Sequence, residues 1–473
     1  MKLKSNLSRF LNTFPKVKEA VGLSNRNLAI NSIKDTRGSI RRALEDSNDV
    51  TWLAPRGGLI QKKIEQESNV PLRSAADLPH SYWKSQQEFL LRQGRYLFIA
   101  ESFKEEEFDV PEVGSNDVLI FVMAAGVNYN GVWAGLGKPV STLDMTKKDY
   151  HIAGSDCSGI VWKVGSGVKK WKVGDEVIIH GMQWDHEDAE VNGGEPMISK
   201  TNKVFGYETA DGTFAQFTAV QAHQVLRKPP NLSWEESGCY MLTLATAYRM
   251  LFGHAPNELK PGEFVLIWGA SGGLGSMAVQ LAKIVGAKPI GIVSDNSKID
   301  YVKDLGAVGV LNRKDFDCWG EHPDIDDAET YANYMKEVRK FGKALWEFTG
   351  KGNNVDMVFE HPGETTVPVS CFVVKPGGMV VICAGTTGYN LTLDARYLWM
   401  QSKRLQGSHF GNSKQANAAN ELVIDGTLDP CMSELFAWNN IPDAHEKMLN
   451  NEHKGGNMAV LVGAAKEGQK SLN

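Results

Sequence analysis

The residues with the clearest chemistry lie in Phe264-Val-Leu-Ile-Trp-Gly-Ala-Ser-Gly-Gly-Leu-Gly275 and in the adjoining run Ser276-Met-Ala-Val-Gln-Leu-Ala-Lys-Ile-Val-Gly-Ala287. Gly269, Gly272 and Gly275 let the backbone close on a pyrophosphate, with Ser271, Gly273 and Leu274 completing the turn. The ligand's negative charge would be met by the first amides of the next helix, which have no acceptor within it. A glycine-rich turn without a ligand is the plainer alternative. At the end of the next apolar run, Pro289-Ile-Gly-Ile-Val293, stand Ser294, Asp295 and Lys298. Ser294 and Lys298 can take a ribose 2′-phosphate through a hydroxyl and a cation, which favours NADPH. Asp295 leaves NAD open, because a small backbone shift could place its carboxylate on the ribose hydroxyls.

The elements around this stretch fit that reading. The apolar run before the glycines reads as a buried parallel strand, and Ala278, Leu281, Ala282 and Val285 recur afterwards at helical period. Pro289–Val293 supplies a second parallel strand and completes a βαβ unit. Asp356-Met-Val-Phe-Glu360 and Gly378-Met-Val-Val-Ile-Cys383 read as later strands of the same sheet, with a charged, mostly helical, exposed insertion over 315–352 before them. Upstream, Arg95–Ala100, Asp117–Val122 and several short strands between His151 and Ile179 suggest a compact, barrel-like β domain. Two further strands are expected around the Asp211-Gly212 turn. Ser233 followed by Glu236 reads as a capping box that starts a helix.

At 473 residues the chain has room for two domains and an extension. We expect a basic N-terminal extension over 1–48, a β-rich catalytic domain with an N-terminal arm over 49–230, a nucleotide domain over 231–388, and a return segment over 389–473. The nucleotide domain is then inserted in the catalytic one, and a ligand is expected in the cleft between them. The first 42 residues hold ten Lys/Arg and two acids, with Leu7, Phe10, Leu11 and Phe14 at helical spacing. A basic docking helix on a cytoplasmic enzyme is the favoured reading; a mitochondrial presequence is the alternative. A net charge of −5 and a pI near 6.2 give no support for nucleic-acid binding. No apolar run approaches the roughly 20 residues needed to span a bilayer, so no membrane partner is expected. Six cysteines without a C-x-x-C pair fit a reducing compartment and argue against a zinc knuckle.

The stretch His151-Ile-Ala-Gly-Ser-Asp-Cys-Ser-Gly-Ile-Val-Trp-Lys-Val-Gly-Ser-Gly-Val168, with Gly174-Asp-Glu-Val177, is similar to the β-domain signature of the medium-chain dehydrogenase/reductase superfamily. The resemblance implies an α/β protein: a GroES-like β-rich catalytic domain with an inserted Rossmann-type, doubly wound parallel sheet. The zinc-dependent branch carries His-Glu after the first glycine of this signature. Here Ser155-Asp156 follow Gly154, and no Cys or His lies near Asn128, so no metal is expected.

A narrower resemblance, covering the chain from about Trp83 onward, rests on Gly126-Val-Asn-Tyr-Asn-Gly-Val-Trp133, Phe205-Gly-Tyr-Glu-Thr-Ala-Asp-Gly-Thr-Phe-Ala-Gln-Phe217, Phe359-Glu-His-Pro-Gly363, Arg396-Tyr-Leu-Trp-Met400 and Gly407-Ser-His-Phe410. In order and spacing these resemble the crotonyl-CoA carboxylase/reductase family. The resemblance implies NADPH-dependent reduction of a short enoyl-CoA with capture of CO2 by the enolate, crotonyl-CoA giving ethylmalonyl-CoA. It assigns the CO2 pocket to Asn130, Tyr207 with Glu208, and His409. Tyr207 stands where Phe also occurs, so its ring carries over more safely than its hydroxyl. His361 is expected to shape the loop beside the nicotinamide, and Ala384-Gly385 to run past it. Arg396, Lys403 and Arg404 could bind CoA phosphates or face solvent. A homodimer or homotetramer is expected. The alternatives are an enoyl-CoA reductase that only protonates its enolate, and a non-catalytic NADPH-binding structural protein.

Overall fold

The computed structural model describes residues 102–103, 108–148, 150–188, 191 and 194–471. The basic extension, the arm and the strand expected at Arg95–Ala100 lie outside the described residues. Two units are present. One is built from the described residues up to Leu242 and from Met432 onward, and the other is Thr243–Cys431.

The first unit is organised on the strand Asp117–Val127, which is buried at every position from Val118 onward. Its length lets it serve three partners. Asp156–Val164 pairs antiparallel along one edge. Phe217–Gln221 takes the first half of the other edge and Asn457–Leu461 the second. Successive side chains of a strand point to opposite faces. Val118, Ile120 and Val122 therefore enter the main core. On the opposite face Phe121 stacks edge-on against Phe217, its direct cross-strand neighbour. Met432–Phe436 extends the sheet past Asn457–Leu461, while Glu176–Ile179 and Val225–Arg227 extend it past Asp156–Val164, giving seven strands.

The strand expected before Asp211-Gly212 is a loop. Side chains take over its backbone groups: Glu208 Oε2 accepts from Val204 N (2.7 Å), and Thr209 Oγ1 accepts from Gly206 N (2.8 Å). Gly206 has φ +73°, and a Cβ there would lie 1.9 Å from the Gly154 carbonyl oxygen, so the loop lies directly on 151–154.

The second unit holds a six-stranded, wholly parallel sheet in the order Gly309–Asn312, Lys288–Val293, Phe264–Ile267, Val355–Glu360, Val374–Ile382, Arg404–Gly407. The chain enters mid-sheet at Phe264–Ile267, builds outward, then crosses back and builds the other way. That reversal is a topological switch point, where ligands of such sheets bind beyond the strands' C-terminal ends. The charged insertion forms the helix Ala328–Thr349. Its outer face is exposed as expected, but Val338, Phe341 and Leu345 pack into the sheet's core. The chain returns to the first unit at Met432 rather than at 389, because Arg404–Gly407 adds to the parallel sheet and Gly411 packs against the Ala245 carbonyl.

The helix Tyr129–Leu136 is pinned in the first unit by His445 from Ile441–Leu449. His445 Nδ1 donates to the Ile441 carbonyl (2.7 Å), and burial holds its pKa down to about 4. A Cβ on Gly131 would lie 2.2 Å from His445 Nε2. Gly131→Ala should therefore cost about 1–3 kcal/mol by overpacking. Thermal denaturation measures this, and His445→Ala in the same chain should recover part of the loss.

Candidate functional site

The switch point lies between Phe264–Ile267 and Val355–Glu360. The glycine turn leaves the first of these strands. Gly269 adopts φ +54°, and Gly272 N donates back to the Gly269 carbonyl (2.9 Å). A Cβ at Gly275 would lie 2.3 Å from the Gly269 oxygen, so only glycine lets the helix start this close to the strand. The helix Gly273–Ile284 has Gly272 as N-cap, and no side chain caps it. The amides of its first turn are left for a ligand. This cradle fits a dinucleotide pyrophosphate.

The second strand ends in a buried network. Glu360 is fully buried; its carboxylate accepts from Thr366 Oγ1 (2.7 Å), Ser370 Oγ (2.6 Å) and Gly363 N (3.2 Å). Ser370 Oγ also accepts from Trp268 Nε1 (2.8 Å). The carbonyl of the same Trp268 accepts from His361 Nε2 (3.0 Å), and a Cβ on Gly269 would meet that nitrogen at 2.7 Å. Burial lowers the His361 pKa to about 4, so the ring is neutral at physiological pH and acts as a hydrogen-bonded spacer. Ala384-Gly385 also belongs here: Thr386 N and Thr387 N donate to the His361 and Pro362 carbonyls (3.3 and 2.8 Å). Glu360, Ser370 and Trp268 have no local signature as a group, so only the fold reveals them as one network.

At the end of Lys288–Val293, Asp295 caps a short turn by accepting from Ser297 N (2.9 Å) and Ser297 Oγ (2.7 Å). Those bonds, more than the neighbouring Lys314 and Lys298, hold its carboxyl below the usual range. The carboxylate that left NAD open is thus engaged in its own turn. Lys314, missed in the sequence, joins Lys298 on this rim.

In the first unit, Asn130 is the second residue of the helix Tyr129–Leu136, and its Nδ2 donates to Ser155 Oγ (3.3 Å). Tyr207 OH donates to the Lys138 carbonyl (2.7 Å), just past that helix. Glu208 is tied to Val204 through its side chain and its own amide. Asn130 bonds Ser155, and the loop of Tyr207 and Glu208 lies on the adjoining Gly154 through Gly206. His409 belongs to the second unit, exposed beyond Arg404–Gly407, its ring edge-on to Phe410.

The three cations expected at CoA divide. Lys403 is buried, and its Nζ donates to the Cys371 and Phe372 carbonyls (2.8 and 3.1 Å), which end the helix Val367–Val373. It is a helix cap rather than a phosphate ligand. Burial lowers its pKa to about 8. Arg396 is paired with Asp394 (2.5 Å), and exposed Arg404 contacts the Gly377 carbonyl (3.3 Å).

The position of the zinc branch's ligands is filled by amide–carboxylate chemistry. Asn128 Nδ2 donates to Asp156 Oδ2 (3.2 Å), and Leu242 N donates to Asp156 Oδ1 (2.9 Å). Asn128, Ser155 and Asp156 offer no thiolate or imidazole and do not fit a catalytic zinc. Among the described residues no group of three or more His, Cys, Asp or Glu is arranged to hold a metal.

The fold and the switch-point cradle define a nicotinamide-dependent oxidoreductase of the medium-chain dehydrogenase/reductase class. Residues 114–230 match the alcohol dehydrogenase GroES-like domain family, and residues 273–425 match the zinc-binding dehydrogenase family. The chain is 61% identical to crotonyl-CoA carboxylase/reductase of Cereibacter sphaeroides, over 82% of this chain and 90% of that one. It is 39% identical to crotonyl-CoA reductase of Streptomyces avermitilis, over 78% and 84%. A solved crotonyl-CoA carboxylase/reductase structure superposes with TM-score 0.77 at 60% identity, covering 80% and 89% of the two chains. The 2-octenoyl-CoA carboxylase reductase CinF, solved with NADP and 2-octenoyl-CoA, superposes with TM-score 0.75 at 35% identity, covering 81% and 88%. The chain belongs to the crotonyl-CoA carboxylase/reductase family.

Burial outweighs the donors around Glu360 and raises its pKa to about 7, against 4.5 for a free carboxyl. The native state then keeps a proton that the unfolded chain has already lost, so wild-type stability falls as pH rises through that window. Glu360→Gln has no such proton. Its Tm relative to wild type should increase between about pH 5 and about pH 8, and a difference that stays flat across that range refutes the assignment.

Proposed function

We propose that this chain carries out the NADPH-dependent reductive carboxylation of a short enoyl-CoA, crotonyl-CoA and CO2 giving ethylmalonyl-CoA. The observation that carries the reading is the tethering of Asn130, Tyr207 and Glu208 within one unit, to Ser155, the Lys138 carbonyl and the Val204 amide. A purely structural loop has no need of all three. The six cysteines form no disulfide, which agrees with a cytoplasmic enzyme, and a homodimer or homotetramer completes the reading.

The dinucleotide, when bound at the glycine turn, supplies the hydride that reduces the substrate's β-carbon. The chain's own residues govern the fate of the resulting enolate. Its α-carbon attacks the carbon of CO2, and the new C–C bond leaves a carboxylate. CO2 is linear and uncharged, so donors must hold its oxygens and stabilise the charge that develops there. The Asn130 amide is such a donor, and His409 is assigned as the second. Glu208 orients its neighbours in the first unit, and the ring of Tyr207 keeps water out. Water exclusion decides the product, since protonation of the same enolate yields butyryl-CoA.

Ser294, Lys298 and Lys314 are the groups offered to a 2′-phosphate, with Asp295 engaged in its own turn. Lys298→Ala should lower kcat/KM for NADPH about tenfold or more while leaving NADH use nearly unchanged. Equal losses with both cofactors refute this placement.

The reaction itself is tested by product analysis with crotonyl-CoA, NADPH and saturating CO2. Ethylmalonyl-CoA should form in step with NADPH consumption, and butyryl-CoA as sole product excludes carboxylation. His409→Asn and Glu208→Ala should both shift product towards butyryl-CoA, and an unchanged carboxylated fraction in the pair removes their assigned roles.

A further inference from the structure

We infer that Asp156 is a positioning residue for carboxylation: its carboxylate fixes the start of the helix that carries Asn130, and through it the amide that holds CO2. The inference rests on the assignment of Asn130 to the CO2 pocket. Asp156 acts through its neighbours and not on CO2 or the enoyl-CoA directly.

Asp156 opens the strand Asp156–Val164 and is 1% exposed. Both its oxygens are used. Oδ2 accepts from Asn128 Nδ2 (3.2 Å) and Oδ1 from the Leu242 amide (2.9 Å). Asn128 is the N-cap of the helix Tyr129–Leu136, yet its side chain makes no capping bond. An asparagine at that position usually turns its oxygen onto the helix's own amides. Here its Nδ2 is spent on the neighbouring strand instead. One residue before Asp156, fully buried Ser155 accepts from Asn130 Nδ2 (3.3 Å). Two consecutive residues at the strand's start thus grip two alternate residues at the helix start, and the second of those is Asn130.

The strand has no slack with which to absorb a change. Gly126 is the cross-strand partner of Asp156, and a Cβ there would lie 2.9 Å from the Asp156 Cβ and 2.8 Å from the Gly238 carbonyl. The electronic requirement is equally strict. A carboxylate accepts from two donors at once, whereas an amide has one oxygen and one NH2. Asp156→Asn keeps its oxygen on the Leu242 amide and can hold Asn128 if that amide turns over to present its oxygen, whereas Asp156→Leu removes both acceptors and leaves two buried donors unpaired. Small displacements of a positioned group are costly when the reacting partner is held as weakly as CO2. In the proposed reaction Asn130 serves CO2 and not the hydride, so the loss falls selectively on carboxylation.

The pair can also be reversed. In Asn128→Asp with Asp156→Asn, the new amide donates to the carboxylate at 128 and still accepts from Leu242, so both bonds return, the one between 128 and 156 with its direction reversed.

The experiment measures the ethylmalonyl-CoA to butyryl-CoA ratio of the full-length enzyme with crotonyl-CoA, NADPH and saturating CO2. Asp156→Leu should lower the carboxylated fraction several-fold, with NADPH oxidation reduced less than carboxylation, and the double variant, in which both bonds are present, should keep most of the wild-type ratio. Asn128→Ala removes the same contact with the buried carboxyl intact and should shift the ratio the same way, which keeps the test open if Asp156→Leu fails to fold. Unchanged ratios in the single variants, or a fall in total turnover at constant ratio, overturn the inference alone. A wild-type enzyme that yields only butyryl-CoA overturns the reading of Asn130 and this inference with it.

Discussion

A carboxylate taken out of water must be surrounded by donors, and in each unit one such carboxylate gathers the loops that hold candidate site residues. Glu360 draws in Gly363, Thr366 and Ser370 at the end of its strand; Asp156 draws in Asn128 and Leu242 at the start of its own. Burial raises both pKa values to about 7. Nothing in packing alone calls for an ionisable group at these sites, and an apolar residue of like volume would avoid the desolvation cost. What the carboxylate adds is direction. Each oxygen fixes the position of a particular donor, which apolar contact cannot do.

The two networks differ in what they hold. Around Glu360 the object is backbone: the turn at Gly269 and the turn at His361–Gly363 are joined through both ends of Trp268, its indole N–H and its carbonyl. A pyrophosphate is bound largely by backbone amides, so the shape of the turn is the binding determinant. Around Asp156 the object is a side chain, Asn130, reached through a helix start. Recognition of a small uncharged molecule depends on one or two amide or imidazole donors, so the support has to act at the level of single side chains.

The glycine turn, its flanking strands and the Ser233–Glu236 capping box were legible in the sequence because each is a local pattern: three glycines at fixed spacing, apolar runs, a reciprocal pair three residues apart. The resemblance carried the family and named the candidate pocket residues. What stayed hidden was long-range. Asp156 finds one donor 28 residues back and another 86 residues on. Lys403 reads as a surface cation until its Nζ is seen capping Val367–Val373, 32 residues earlier. The segment before Asp211 has a strand's composition, but Glu208 and Thr209 satisfy its amides locally and make it a loop. The return to the first unit comes later than its composition suggests because Arg404–Gly407, a short strand with an arginine and a glutamine, gives no apolar run to mark it.

In the proposed reaction, the loop around Glu208 also bears on the choice between capturing CO2 and protonating the enolate. A carboxylate able to swing widely would bring water and an exchangeable proton with it. Here one oxygen of Glu208 is committed to the Val204 amide at 2.7 Å, and the residue's own N–H is spent on the Val204 carbonyl. Tyr207 is likewise tethered through its hydroxyl to Lys138, so the ring is the part of it left to line a pocket. Both side chains therefore present fixed faces. A pocket made of tethered groups can hold a linear molecule in one orientation without recruiting the solvent that would quench the carbanion. The same economy explains why a tyrosine is acceptable where a phenylalanine would also serve: its extra hydroxyl is bound to backbone and adds no mobile proton donor.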